Sequence, residues 1–141
     1  MSRTRKASAG GVFRYLRRIR FGDTDAAGIV FTGRVSDMAL EALEVWFSER
    51  LGLNWFEMCG RANVDTPCVH LEIDFRSPMT PRDTLDISIV LERVSRSTLQ
   101  VRLMARAKAD DRIRWQSRFV SPASMSRRSR ALLFPGPGKT P

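Results

Sequence analysis

Phe21-Gly22-Asp23-Thr24-Asp25-Ala26-Ala27-Gly28-Ile29-Val30-Phe31 joins the first strand-like segment of the chain to its longest amphipathic segment. Two carboxylates and two glycines within this stretch predict a tight turn. Glycine lets backbone approach a ligand closely and adopt positive φ. A carboxylate just ahead of a helix sits near outward-pointing backbone N–H groups and the positive end of the helix dipole. Such an arrangement can hold a polarised carbonyl beside a nucleophile or base. The same residues also suit a plain polar turn in which each aspartate bonds its own local backbone.

On the N-terminal side, Phe13, Tyr15, Ile19 and Phe21 share one strand parity and Arg18 and Arg20 the other; the pattern breaks at Leu16-Arg17, which predicts a bulge there. On the C-terminal side, from about Gly33 to Leu51, the period becomes helical. Leu40, Leu43, Phe47 and Leu51 form one stripe, widened by Ala39 and Trp46, while Glu41, Glu44, Ser48 and Glu49 cover another face. Ser36 is a candidate N-cap, with Thr32 or Gly33 as an earlier start, and Gly52 is the expected stop. A short helical turn is expected over Asn54 to Cys59.

The remainder alternates with period two. Val69, Leu71, Ile73 and Phe75 form one candidate strand, followed by the proline-rich connection Ser77 to Asp83. Leu85, Ile87, Ile89 and Leu91 form the next, then Leu99, Val101, Leu103 and Ala105. Asp110-Asp111 turn the chain into Ile113, Trp115, Ser117 and Phe119, and a last short strand is expected at Ala131-Leu132-Leu133. Strand, long helix, then four or five antiparallel strands is an α+β order. One apolar-striped helix laid on the apolar face of a single antiparallel sheet buries both. The sheet edges need cover, and pairing between copies would supply it, so a homodimer or homotetramer is expected.

The 141 residues suit one domain. Residues 1–11 read as a disordered basic tail, 12–134 as the domain and 135–141 as a flexible Pro/Gly tail. The net charge of +9 is uneven: residues 1–20 carry seven basic and no acidic side chains and 122–141 carry four basic, whereas 21–121 hold 13 basic against 15 acidic. A body near −2 argues against a nucleic-acid-binding face on the fold. The basic ends instead suit a phosphate-bearing small ligand or an acidic partner. Neither a membrane span nor a secretory signal is evident, and a cytoplasmic protein is expected. Cys59 and Cys68 lack a metal spacing and read as reduced buried thiols, and a single histidine, His70, speaks against a His-rich metal site, so no metal or cofactor is expected.

The loop Phe21 to Phe31, the helix after it, and Ile73-Asp74-Phe75-Arg76-Ser77-Pro78 ahead of Asp83 resemble the hotdog-fold acyl-CoA thioesterases. The closest type is the 4-hydroxybenzoyl-CoA thioesterase group, whose loop reads roughly Gly-Asp-x-Asp-Pro-Ala-Gly-Ile-Val. The resemblance covers residues 13–121 and implies a curved antiparallel sheet wrapped around a central helix. It implies that Asp25 is catalytic, attacking the thioester carbonyl or activating a water, and either route needs an ionised carboxylate. It places the backbone N–H that polarises the thioester oxygen at Thr32, and it gives Asp23 a loop-shaping role, with an exchange of roles between the two aspartates as the alternative. It makes Gly28 part of the substrate-binding loop and Arg93 and Arg96 the contacts to nucleotide phosphates, for which the forked arginine donors are suited. Two departures stand out: Ala26 replaces the usual proline, and Thr32-Gly33-Arg34-Val35 replaces a tyrosine-containing pattern. Arg34 near a helix start opposes the dipole unless it has an anionic partner. An acyl carrier protein thioesterase and a non-catalytic acyl-CoA binder fit the same residues.

Overall fold

The computed structural model describes residues 4–5, 12–52, 54, 57, 68–95 and 97–122. In chain order the elements are β1 (Thr4–Arg5), β2 (Phe13–Arg18), a 3-10 turn (Phe21–Asp23), α1 (Thr32–Leu51), β3 (His70–Phe75), β4 (Thr84–Val94), β5 (Thr98–Ala107) and β6 (Ile113–Pro122). All strands join one six-stranded sheet in the order β1-β2-β4-β5-β6-β3. Every ladder is antiparallel. Thr4–Arg5, within the segment that reads as a tail, forms a two-residue strand against Tyr15 and Arg14.

Period-two alternation turns one face of the sheet inward. Leu85, Ile87 and Ile89 of β4, Leu99, Val101, Leu103 and Ala105 of β5, and Trp115 and Phe119 of β6 are buried there. The helix meets this face with Val35, Met38, Ala39, Ala42, Leu43, Trp46 and Phe47, and the two layers form one core cluster. Each such large apolar side chain contributes about 1.5–3 kcal/mol relative to remaining exposed. The rings of Trp46 and Phe47 lie 5.0 Å apart at 47° inside this core. Leu40, expected on the stripe, is only partly buried at the margin of the core. The helix ends where expected: Gly52 takes the left-handed conformation at φ 70° and donates its N–H to Ser48 at 2.7 Å.

The outer face carries a cross-linked group of charges beside an apolar Val90 that is 41% exposed. Glu92 accepts from Gln100 at 2.6 Å and from Arg118 at 3.2 Å, and it pairs with Arg102. His70 pairs with Glu72 at 2.7 Å on the same face of edge strand β3.

Several expectations are corrected. β2 pairs with β4 without a register shift from Phe13↔Ile89 to Arg18↔Thr84, so no bulge interrupts Leu16-Arg17. Bulges fall instead between Leu91 and Arg93 and between Ala105 and Arg106. Phe21 is 87% exposed because the strand stops at Arg18 and a 3-10 turn swings that ring outward. α1 begins at Thr32, and Ser36 lies inside it with its hydroxyl donating to the Gly33 carbonyl at 2.9 Å, so Ser36 is no N-cap. Cys68 is exposed rather than buried. The expected turn at 54–59 (except Asn54 and Glu57), the strand at 131–133, the 135–141 tail, Trp55 and Cys59 lie outside the described residues. Among the described residues no helix is long and apolar enough to cross a membrane.

Candidate active site

The path from β2 into α1 is a small hairpin pinned at both sides. Ile19 is buried and donates its N–H to the Asp83 carbonyl at 3.0 Å. Thr24 and Val30 form an antiparallel bridge. Around it, Asp25 N–H donates to Ile29 at 2.8 Å and Phe31 N–H to Asp23 at 2.9 Å. Val30 is buried and donates to the Met79 carbonyl at 2.9 Å, which ties the hairpin to the connection between β3 and β4. At the tip Gly28 stands at φ 79°, a conformation glycine adopts without steric cost, and its N–H closes on the Asp25 carbonyl at 3.0 Å.

The two aspartates of the loop have opposite surroundings. Asp23 is buried, and its carboxylate receives both terminal nitrogens of Arg17 at 2.6 and 3.1 Å together with the Arg20 N–H at 2.8 Å. The Arg17 hydrogen bond outweighs burial and holds the Asp23 carboxyl below its ordinary value. Burial works against the Arg17 charge, but the bond to Asp23 and the nearby Glu41 carboxylate prevail and raise its pKa. Asp25, by contrast, is exposed at the tip. One of its oxygens accepts the Ala27 N–H at 2.8 Å, and the other takes no partner among the described residues. A paired, buried carboxylate is a structural strut. An exposed one with a free oxygen is available for chemistry.

The helix start carries the complementary charge. Phe31 is the N-cap, with φ −65° and ψ 134°, and among the described residues no side chain caps the helix. The first turn contains no acidic residue. Helix geometry gives the N–H groups of Thr32 and Gly33 no intrahelical acceptor, and both residues are exposed. The Arg34 N–H is used, donating to Phe31 at 2.9 Å. Its side chain finds the anionic partner it needs in Asp37, at 3.7 Å. The exposed Phe31 ring lies over Gly33, where a Cβ would come within 2.9 Å of the ring. Hairpin pairing joins the two features: Val30 faces Thr24, the neighbour of Asp25, and Thr32 follows two residues later.

Of the other expected site residues, Gly28 forms the loop tip and Arg93 is exposed on β4 beyond its bulge. Arg96 lies outside the described residues. His70 is on the outer sheet face with Glu72. Trp46 and Phe47 are core residues. Among the described residues no group of three or more His, Cys, Asp and Glu side chains could hold a metal ion.

Sequence reasoning missed Arg17 and its partners. Arg17 also donates Nε to Glu41 of α1 at 2.9 Å, and the Tyr15 hydroxyl donates to the same carboxylate oxygen at 3.0 Å. The available signal was the parity break: Phe13, Tyr15, Arg17 and Ile19 all face inward, so the arginine occupies a core-facing position of an unbroken strand.

The model of the thioesterase-like superfamily matches residues 19–132. A 1,4-dihydroxy-2-naphthoyl-CoA hydrolase from Picosynechococcus is 36% identical over 80 residues, which are 57% of this chain and 54% of that enzyme. The chain therefore spans about half the length of that curated relative. A thioesterase superfamily structure from Jannaschia sp. CCS1 superposes with a TM-score of 0.80 at 28% identity, covering 92% of this chain and 95% of that one. A 4-hydroxybenzoyl-CoA thioesterase solved with 4-hydroxybenzoyl-CoA superposes with a TM-score of 0.77 over 86% of this chain and 98% of that one, and at 18% identity that likeness is one of fold. The sheet packed on the long helix α1 is thus a hotdog fold.

Proposed function

The chain belongs to the thioesterase-like superfamily, and from that premise we propose that it hydrolyses acyl-CoA thioesters to a free acid and coenzyme A, acting in the cytoplasm. The observation that carries the reading is an exposed Asp25 with a free carboxylate oxygen, on a pinned hairpin that runs directly into the uncapped N-terminus of α1.

In the proposed mechanism the thioester oxygen sits against the Thr32 N–H. Charge developing on that oxygen meets a fixed donor at the positive end of the helix. Asp25 then acts in one of two ways. As nucleophile, its free oxygen bonds to the carbonyl carbon, the C–S bond breaks with coenzyme A leaving as thiolate, and water hydrolyses the resulting anhydride. As base, it takes a proton from water while the hydroxide attacks, and the proton passes to the departing sulfur. Gly28 keeps the loop tip free of a side chain beside the ligand. Arg93, and Arg96 beyond it, are assigned to the nucleotide phosphates.

The acyl group proposed is a hydroxylated aromatic one, of the kind named for the relatives, with the exposed Phe31 ring beside the candidate oxyanion donor as the supporting feature. A second copy of the chain is proposed to pair along β3. Among the described residues that strand ladders with β6 alone, its Leu71 and Ile73 are partly covered, and Phe75 is 53% exposed. The test is thiol release over a panel of aromatic, short-chain and long-chain acyl-CoAs and acyl carrier protein thioesters. Highest kcat/KM on a hydroxyaromatic acyl-CoA supports the assignment; preference for a carrier-protein substrate, or binding without turnover, overturns it.

A further inference from the structure

We infer that Arg17 is a positioning residue, whose guanidinium locks the Asp25 hairpin and the start of α1 into one rigid unit with β2. Three elements meet at this one side chain. Nε holds Glu41, in the third turn of α1, at 2.9 Å. Both terminal nitrogens hold Asp23 at 2.6 and 3.1 Å. The residue itself lies in the β2–β4 ladder opposite Leu85. Asp23 carries the constraint onward through its main chain, because its carbonyl accepts the Phe31 N–H at 2.9 Å, one residue before the helix begins. The backbone of Asp25 lies two residues beyond Asp23 along the same hairpin.

The chemistry of the clamp requires an arginine. Only a planar fork can bind one carboxylate through its end and a second through its flank; a lysine offers a single point charge. The Arg17 side chain is 14% and that of Asp23 9% exposed, so water competes little for the bonds between them, whereas the Glu41 side chain is 42% exposed. Glu41 is itself steadied by the Tyr15 hydroxyl, so the helix side of the clamp is also fixed. Arg17 has no atom assigned to substrate; its action passes through Asp23.

The catalytic half of this inference rests on the hydrolase reading, whereas the positional half does not, and the experiment separates them. Amide hydrogen exchange is measured on the whole chain and on Arg17→Lys at neutral pH, alongside kcat and KM for the preferred thioester. In Arg17→Lys the Asp25 and Phe31 amides should exchange at least tenfold faster, while those of Leu43 and Val101 stay within twofold. kcat should fall at least tenfold with KM within threefold. Unchanged exchange at Asp25 and Phe31, or equal acceleration at Leu43 and Val101, overturns the inference. Should Arg17→Lys fail to fold, Glu41→Gln, which leaves the Asp23 fork in place, should accelerate the same two amides about threefold, and no change there overturns it. A wild type without turnover would sink the hydrolase reading and leave the exchange result to decide the positional claim.

Discussion

Replacing Thr32 with proline should remove the proposed oxyanion donor and little else. Thr32 is the first residue of α1, so its N–H has no intrahelical acceptor to lose. Proline is well tolerated at that position because its fixed φ suits a helix start. The residue before a proline must be extended, and Phe31 already is, at φ −65° and ψ 134°. The carbonyl of residue 32 remains to accept from the helix. Stability should therefore change by less than about 1 kcal/mol, a melting shift of no more than about 4 °C for a chain of this size. Loss of one preorganised oxyanion donor costs roughly 10²–10³ in kcat, or about 2.7–4 kcal/mol of transition-state stabilisation. Thr32→Ala keeps the amide and serves as the paired control, so the two variants should differ by at least tenfold in kcat. Thermal melts and steady-state thiol release on the same preparations decide the matter. A stable Thr32→Pro that turns over within threefold of wild type refutes the assignment of that N–H.

Other outcomes follow from the same geometry. Asp23→Asn removes the charge from a buried pair while keeping one acceptor, and should destabilise by about 2–3 kcal/mol at pH 7 in urea melts. The folded-state Asp23 pKa is lowered, so its contribution is present above the unfolded value and is lost as pH falls through the folded one. The gap between wild type and Asp23→Asn should accordingly close below pH ~3.8, and a gap independent of pH counts against the pairing. Gly33→Ala should leave stability within about 1 kcal/mol, since the gain in helix propensity offsets displacement of an exposed ring, yet it should raise KM for aromatic thioesters more than for short-chain ones because Phe31 must move. Arg93→Gln should raise KM for acyl-CoA severalfold with kcat unchanged, and an unaltered KM would remove Arg93 from the phosphate contacts.

Much of the fold was legible because two hydrophobic periods dominate the chain. Leu85-Ile87-Ile89 and Leu99-Val101-Leu103 can bury only as alternating strands, and Leu43 with Phe47 only as a helical stripe. The boundaries were harder, since they depend on single backbone bonds. Phe21 looked like one more core residue in register, but a 3-10 turn closed by the Asp23 N–H on the Arg20 carbonyl at 3.0 Å takes it out of the strand. Ser36 looked like a cap because its side chain suits one, but the helix begins at Thr32, the earlier start that the sequence also offered. Asp25 was legible as a candidate from its loop, and Asp23 as a strut. What stayed hidden was the partner of the strut. Arg17 disturbed the alternation and invited a bulge, whereas a charged side chain can face a core when two carboxylates, one from the following loop and one from α1, meet it there. Nothing local announces Glu41 as one of them, because its position among other glutamates suits a solvent-facing surface.

The most direct test of the account is thiol release by Asp25→Asn beside wild type, on the best acyl-CoA of the panel, with both proteins shown to be folded. Asn preserves the oxygen that accepts the Ala27 N–H, so the turn should persist while the ionised oxygen is lost. The account predicts that kcat falls by at least about 10²-fold, the usual scale for a lost base or nucleophile, while the melting temperature stays within a few degrees. Full turnover in a folded Asp25→Asn would contradict it and move the chemistry away from this loop.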